Sequence, residues 1–370
     1  MSELYIGLMS GTSLDGVDGV LVDLAPPGSL SVLAHAHRGF DTALAAELLA
    51  LNTPGDNELH RAALAGNALT RVYGEVIDAL LAAAGTPAHR VLAVGAHGQT
   101  VRHRPREFDG TGYTLQLGNP ALLAELCGID VVADLRSRDV AAGGHGAPLA
   151  PAFHRAVFGR AGRTIAVLNV GGIANLTALH ADGSTTGFDC GPGNALMDLW
   201  CREKTGRPFD DGGAWAASGT VIEPLLTDML GEPFFEMPPP KSTGRDLFHT
   251  AWLTRHLQSR GTLRPQDVQT TLAELTAIAC AHAVRQHAGG ADELLVCGGG
   301  ALNFHLLGRL RARLPGMQVM PTDARGLPAM QVEACAFAWL ARAFCHHESA
   351  SLAAVTGALG PRRLGALYPA

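Results

Sequence analysis

A chain of 370 residues with 28 Lys and Arg against 34 Asp and Glu carries a formal net charge of -6, without the basic field that nucleic-acid binding requires. Its 47% apolar and 17% charged residues exclude a disordered chain and suit two folded domains. No apolar run approaches the roughly 20 residues that cross a bilayer. Met1-Ser2-Glu3 lacks the basic start of a secretory leader, so a cytoplasmic location is expected. The seven cysteines contain no CxxC pair and read as reduced core thiols, with no zinc site.

Leu4 to Met9 is an apolar run that predicts a strand, closed by the turn Ser10-Gly11-Thr12-Ser13. A second strand is expected over Val17 to Leu24, and a third over Leu30 to His35 after the turn Pro26-Pro27-Gly28. Helical periodicity covers about Glu58 to Ala84, and Val91 to Ala96 is then a buried strand. The same order returns in the second half. Ile165 to Val170, Gly171-Gly172, Ile173 to Leu179 and Thr185 to Asp189 repeat the strand, turn, strand, strand unit. Helices follow over Ala195 to Lys204 and about Leu272 to His287, then a strand over Leu294 to Cys297. A last apolar helix is expected over Ala334 to Phe344. The repeat is far longer than a solenoid period. It implies duplication of a whole α/β domain around a cleft, the first copy over 1–160 and the second over 161–370.

Four constellations carry chemistry. In Gly11-Thr12-Ser13-Leu14-Asp15-Gly16-Val17-Asp18, a tight turn bares amides and hydroxyls suited to phosphate oxygens. Asp15 would repel a bare phosphate, so its place there implies an intervening Mg²⁺ ion; the alternative is a plain hairpin. Asn169-Val170-Gly171-Gly172-Ile173-Ala174-Asn175 stands at the matching place in the second half. Asp189, in Phe188-Asp189-Cys190-Gly191-Pro192-Gly193-Asn194, ends a strand where a carboxylate can act as general base or merely cap a turn. Asn194 is the better helix cap. Gly298-Gly299-Gly300, with Asn303 close behind, permits near approach of a flat ligand such as adenosine. His97, Gln99 and Thr100, and the stretch containing Arg136 and Asp139, suit a polyhydroxylated ligand with a carboxylate, which arginine holds in a two-point fork. Glu333 stands at the head of the last helix, either at the cleft or as a first-turn acid. Lys241 to Arg245 lies in a polar loop that is a lid or a plain exposed connection.

The GTSLDGVD run, the FDCGPGNALMD run, Gly95 to Thr100, Asp134 to Pro148, Asn169 to Thr177, Lys241 to Arg245 and Gly298 to Asn303 resemble the motifs of the anhydro-N-acetylmuramic acid kinase family. The likeness spans nearly the whole chain. It implies a duplicated actin-like (ribonuclease H-like) α/β fold with an interdomain active-site cleft, and a homodimer. It also implies a reaction. ATP, with Mg²⁺, would phosphorylate O6 of 1,6-anhydro-N-acetylmuramic acid as water opens the ring, in peptidoglycan recycling. By resemblance Asp189 is the base that activates this water. Gly11 to Asp18, with Asn169, Gly171, Gly172 and Asn175, line the ATP phosphates; Gly298, Gly299, Gly300 and Asn303 approach the adenosine; and Asp15 serves the metal. His97, Gln99, Thr100, Arg136, Asp139, Gly191 and Glu333 hold the sugar. Two residues depart from the family pattern: His145 in GGHGAP, where Gln is usual, and Cys190, where Thr is common. A hexose or acetate kinase of the same superfamily and a non-catalytic nucleotide switch are the competing readings.

Overall fold

Two sheets repeat one strand order. The computed structural model describes every residue except Met1, Thr12, residues 26–29, Arg245, Asp246 and Ser259. The expected turn at Pro26-Pro27-Gly28, the Thr12 position and Arg245 therefore lie outside the described residues. In the first sheet, β1 (Leu4–Met9), β2 (Gly16–Asp23) and β3 (Ser31–Gly39) form an antiparallel meander, and β4 (Val91–Ala96) pairs parallel with β1. A separate hairpin, β5 (Gln99–Pro105) and β6 (Gly112–Leu117), follows. Then β7 (Val131–Ala133) adds parallel to β4. In the second sheet, β8 (Ile165–Val170), β9 (Ile173–Leu179) and β10 (Thr185–Pro192) are the meander, and β11 (Glu293–Cys297) and β12 (Gln318–Pro321) are the parallel strands. A final strand, β13 (Ala366–Tyr368), pairs antiparallel with β7. Three antiparallel strands followed by two parallel ones is the ribonuclease H-like order, present twice.

The chain divides into compact units of residues 1–157 with 331–370, and 158–330. The expected division at 160 placed residues 331–370 in the second copy, whereas they return to the first. Packing explains the return. The helix Val332–Cys345 lies on β1 and β4, where Gly7 and Gly95 present bare backbone. A Cβ at Gly7 would stand 1.9 Å from the Ala334 carbonyl oxygen, and one at Gly95 would stand 2.0 Å from that of Phe337. Arg342 of this helix also pairs with Glu3 at 3.3 Å.

Cores form beneath each sheet. In the first unit, the helix Glu58–Ala84 presents Leu69, Tyr73, Val76, Ile77 and Leu80 to Ile6, Leu8, Leu21 and Val94, the stripe expected from its 3.6-residue period. In the second unit, the helix Pro265–His287 begins seven residues before the expected Leu272. Pro265 fits the first helical turn, while buried Gln269, Thr270 and Thr271 conceal the apolar period. Glu274, buried on that helix, takes both Arg309 and Arg313 from the helix Phe304–Arg313. No described helix is long and apolar enough to cross a membrane.

Candidate active site

In the second unit one cross-strand row carries the polar groups: Cys297 on β11 faces Asn169 on β8, which faces Asn175 on β9, which faces Asp189 on β10. Beyond this row the register of β10 slips between Asp189 and Gly191, leaving Cys190 as a bulge residue. Bulges re-aim side chains. Phe188 and Cys190 line a pocket against the helix Pro265–His287, and Asp189 is absent from that lining. The Asp189 amide donates to the Lys241 carbonyl at 3.2 Å, and its Oδ2 accepts the Thr243 amide at 3.0 Å. No described group bonds Oδ1. Burial pushes the carboxyl up to about 6, and the Thr243 amide restrains that rise. Such a group is mostly ionised at neutral pH yet basic enough to take a proton. The Lys241 to Thr243 segment, read from sequence as a lid or connection, is thus the backbone that orients Asp189. Its turn-like composition held no signal of this.

The glycine hairpin between β8 and β9 is fixed from behind. The amides of Gly193 and Ala195 donate to the Gly172 carbonyl at 2.9 and 3.1 Å, and that of Asn194 to the Gly171 carbonyl at 2.8 Å. Gly193 must lack a side chain, since a Cβ would lie 2.3 Å from the Gly171 oxygen. Asn194 was expected to cap the helix Ala195–Thr205 but makes no capping bond; its Nδ2 donates instead to the Val170 carbonyl at 2.9 Å. Gly298, at φ 75°, closes over Asn169, whose buried Oδ1 has no partner. A Cβ at Gly298 would sit 2.4 Å from that oxygen. Gly299 is exposed and Gly300 packs on Val170. An orphaned buried acceptor beside an exposed glycine bend fits a ligand with donor groups such as a nucleotide. Asn303, expected at the adenosine, instead spends its Oδ1 on the Leu306 amide at 2.9 Å as the cap of the next helix.

In the first unit the β1–β2 turn stands at the topological place of the Gly171 hairpin. Leu14 adopts φ 60°, its amide donates to the Gly11 carbonyl, and Ser13 Oγ donates to Asp15 Oδ1 at 2.7 Å. Ser13 and Asp15 are exposed, whereas Gly16 and Val17 are buried. Asp18, expected with the phosphates, lies against His35 and His37 of β3 at 3.3 and 3.2 Å. Among the described residues no group of three or more His, Cys, Asp or Glu is placed to hold a metal ion. Mg²⁺ commonly takes only one or two carboxylates alongside phosphates and water, so Asp15 fits it as a single protein acid.

Behind this turn, Ser10 Oγ donates to the Gly98 carbonyl, and Tyr73 hydroxyl bonds both Ser10 Oγ at 2.9 Å and the Gly98 amide at 3.1 Å. Gln99 Nε2 donates to the Gly11 carbonyl at 3.1 Å. Sequence reading placed Ser10 in the turn but missed Tyr73, for which the one clue is that a buried tyrosine hydroxyl needs a partner. His97 Nδ1 donates to the Ser10 carbonyl and Nε2 accepts from Arg136 at 3.0–3.1 Å, which sets the tautomer. Burial and then Arg136 lower His97 to about 3. Arg136 also donates to the Gly146 carbonyl at 2.8 Å; burial lowers it to about 10, with Glu333 and Asp139 acting against that fall. His97, Arg136 and exposed Glu333 therefore gather in one unit. Thr100 accepts from Gln116 on the neighbouring strand. Asp139, expected at the sugar, is 0% exposed; it accepts from the Gly146 amide at 2.8 Å and the Thr356 hydroxyl at 2.9 Å. Both carboxylate oxygens are thus engaged in holding the loop to the Thr356 turn. Gly191, at φ 146°, packs on Phe235. Of the two departures, His145 is half-buried and held below its usual range by burial and Arg106; Cys190 is raised by its hydrogen bond with Cys280 and by burial.

Two ribonuclease H-like units, each with a tight β-hairpin at the same topological place, and one with a base-strength carboxylate, define a phosphotransferase of the actin-like class. The chain belongs to the anhydro-N-acetylmuramic acid kinase family: the family model of that description matches residues 3–370. A protein named anhydro-N-acetylmuramic acid kinase from Variovorax paradoxus is 62% identical over 100% of this chain and 99% of its own length. Relatives of the same name from Albidiferax ferrireducens and Cupriavidus metallidurans are 58% and 57% identical over 100% of this chain and 100% and 98% of theirs.

Proposed function

We propose that this chain uses ATP to phosphorylate O6 of 1,6-anhydro-N-acetylmuramic acid while water opens the anhydro ring, giving N-acetylmuramic acid 6-phosphate and ADP. The reading rests on the half-buried Asp189 carboxylate, held at about 6 by burial and oriented by Thr243, together with the family. Asp189 takes a proton from the water that attacks the anomeric carbon. The bond from that carbon to O6 opens, and O6 accepts the terminal phosphoryl group, leaving ADP. Base assistance of this kind is worth about 10²–10⁴-fold.

In the first unit, Gly11, Ser13 and Asp15 would meet the phosphates, and His97, Arg136 and Glu333 the sugar. In the second, Asn169, Gly171, Gly172 and Asn175 would meet the phosphates, and Gly298 to Gly300 the adenosine. Bound Mg²⁺ neutralises phosphate charge, and Asp15 would hold it. The product suits peptidoglycan recycling and amino-sugar catabolism in the cytoplasm. Mass spectrometry of the sugar product made in oxygen-18 water tests the coupling: label at the anomeric carbon is expected, and phosphorylated sugar without label would overturn it.

A further inference from the structure

A pocket of about 220 Å³ opens in the second unit between β10 and the helix Pro265–His287, on the side of β10 away from Asp189. Phe188, Phe235 and Ile278 give it an apolar wall, while Lys241, His282, His287, Gln286 and Glu236 give it charge and hydrogen-bonding groups. Lys241 Nζ donates to the carbonyls of Phe234 and Phe235 at 2.9 and 3.0 Å, which leaves one of its three N–H groups. Glu236 is exposed and within electrostatic reach of Lys241. We propose that this pocket binds a small zwitterion with an apolar body, of the apolar α-amino acid class.

The lining selects that chemistry. A carboxylate finds the spare Lys241 donor and the imidazole N–H of His282, and an ammonium finds Glu236. A ligand of a single charge would leave one of these groups opposed or unanswered, at a cost in affinity. Size agrees: a dry cavity of about 150 Å³ holds the six carbons of benzene, so this pocket holds about nine heavy atoms, the size of leucine. The pocket also touches the machinery proposed above. The Lys241 carbonyl accepts the Asp189 amide, and Thr243, two residues on, donates to the Asp189 carboxylate. Drawing Lys241 toward a ligand therefore moves the groups that set the basicity of Asp189. This last link rests on the proposed role of Asp189, whereas binding does not.

Calorimetric titration of the full chain with L-leucine, 4-methylpentanoate and 3-methylbutylamine tests the site. Leucine is expected to bind at least about tenfold more tightly than either single-charge analogue. Glu236→Gln, at an exposed position, should remove that advantage over 4-methylpentanoate. Ala283→Phe should fill the pocket and abolish binding. No leucine binding up to on the order of 10 mM, equal binding of the carboxylate, or leucine preference retained in Glu236→Gln would overturn the site, even if Ala283→Phe does not fold. Saturating leucine should also shift the acid limb of the kcat profile, and a limb unmoved by bound leucine would refute the link to Asp189.

Discussion

An aspartate held at about 6 is mostly ionised at pH 7 and mostly protonated at pH 5. As the proposed base, it should make kcat fall about tenfold per pH unit below pH 6; a flat profile down to pH 5 would exclude the role. The same residue bears on stability. Its carboxyl is raised in the fold, so its favourable contribution is present below the ordinary value of 3.8 and is lost as pH rises through about 6. At pH 7 the buried charge is therefore a cost. Asp189→Asn should lower turnover by about 10²–10⁴-fold, retain nucleotide binding by calorimetry, and raise Tm. A lowered Tm would mean that the charge is favourably held after all. The identity of Asp189 was legible from FDCGPGN. Its basicity was not, because burial and the Thr243 amide come from 54 residues away in sequence.

At the scale of elements, the helix Val332–Cys345 depends on two residues that contribute no side chain. Gly7→Ala should lower stability by at least about 3 kcal/mol, because the new methyl meets backbone that cannot rotate aside. Chemical denaturation measures this, and a loss within about 0.5 kcal/mol would show that the helix slides freely on β1. The meanders were legible as apolar runs closed by turn residues, and the helix Glu58–Ala84 by its 3.6-residue period. Strands β7, β12 and β13 were not, since three or four residues cannot establish a period.

For the molecule as a whole, acid sensitivity should begin in the first unit. Burial lowers His97 and His154 to about 3 and His103 to about 4. A histidine depressed in the fold stabilises above its ordinary 6.5, and that stability is lost as pH falls from there toward the folded value. At pH 5, His97 and His154 should each forfeit about 2 kcal/mol. Hydrogen exchange at matched intrinsic rates should show β4 and the helix Ala150–Phe158 losing protection between pH 7 and pH 5. Unchanged protection there would mean that these imidazoles find water or an acid on opening.

The sequence alone determined the duplicated meander with its first parallel strand, both glycine hairpins and the family, because each is written in contiguous residues whose pattern or turn chemistry is local. Tertiary structure decided where the last 40 residues belong, that Asp139 holds the Gly146 amide and the Thr356 hydroxyl while Asn303 caps its own helix, and what tunes Asp189 and His97. Those outcomes depend on burial and on partners distant in the chain, and neither is encoded at the position it governs.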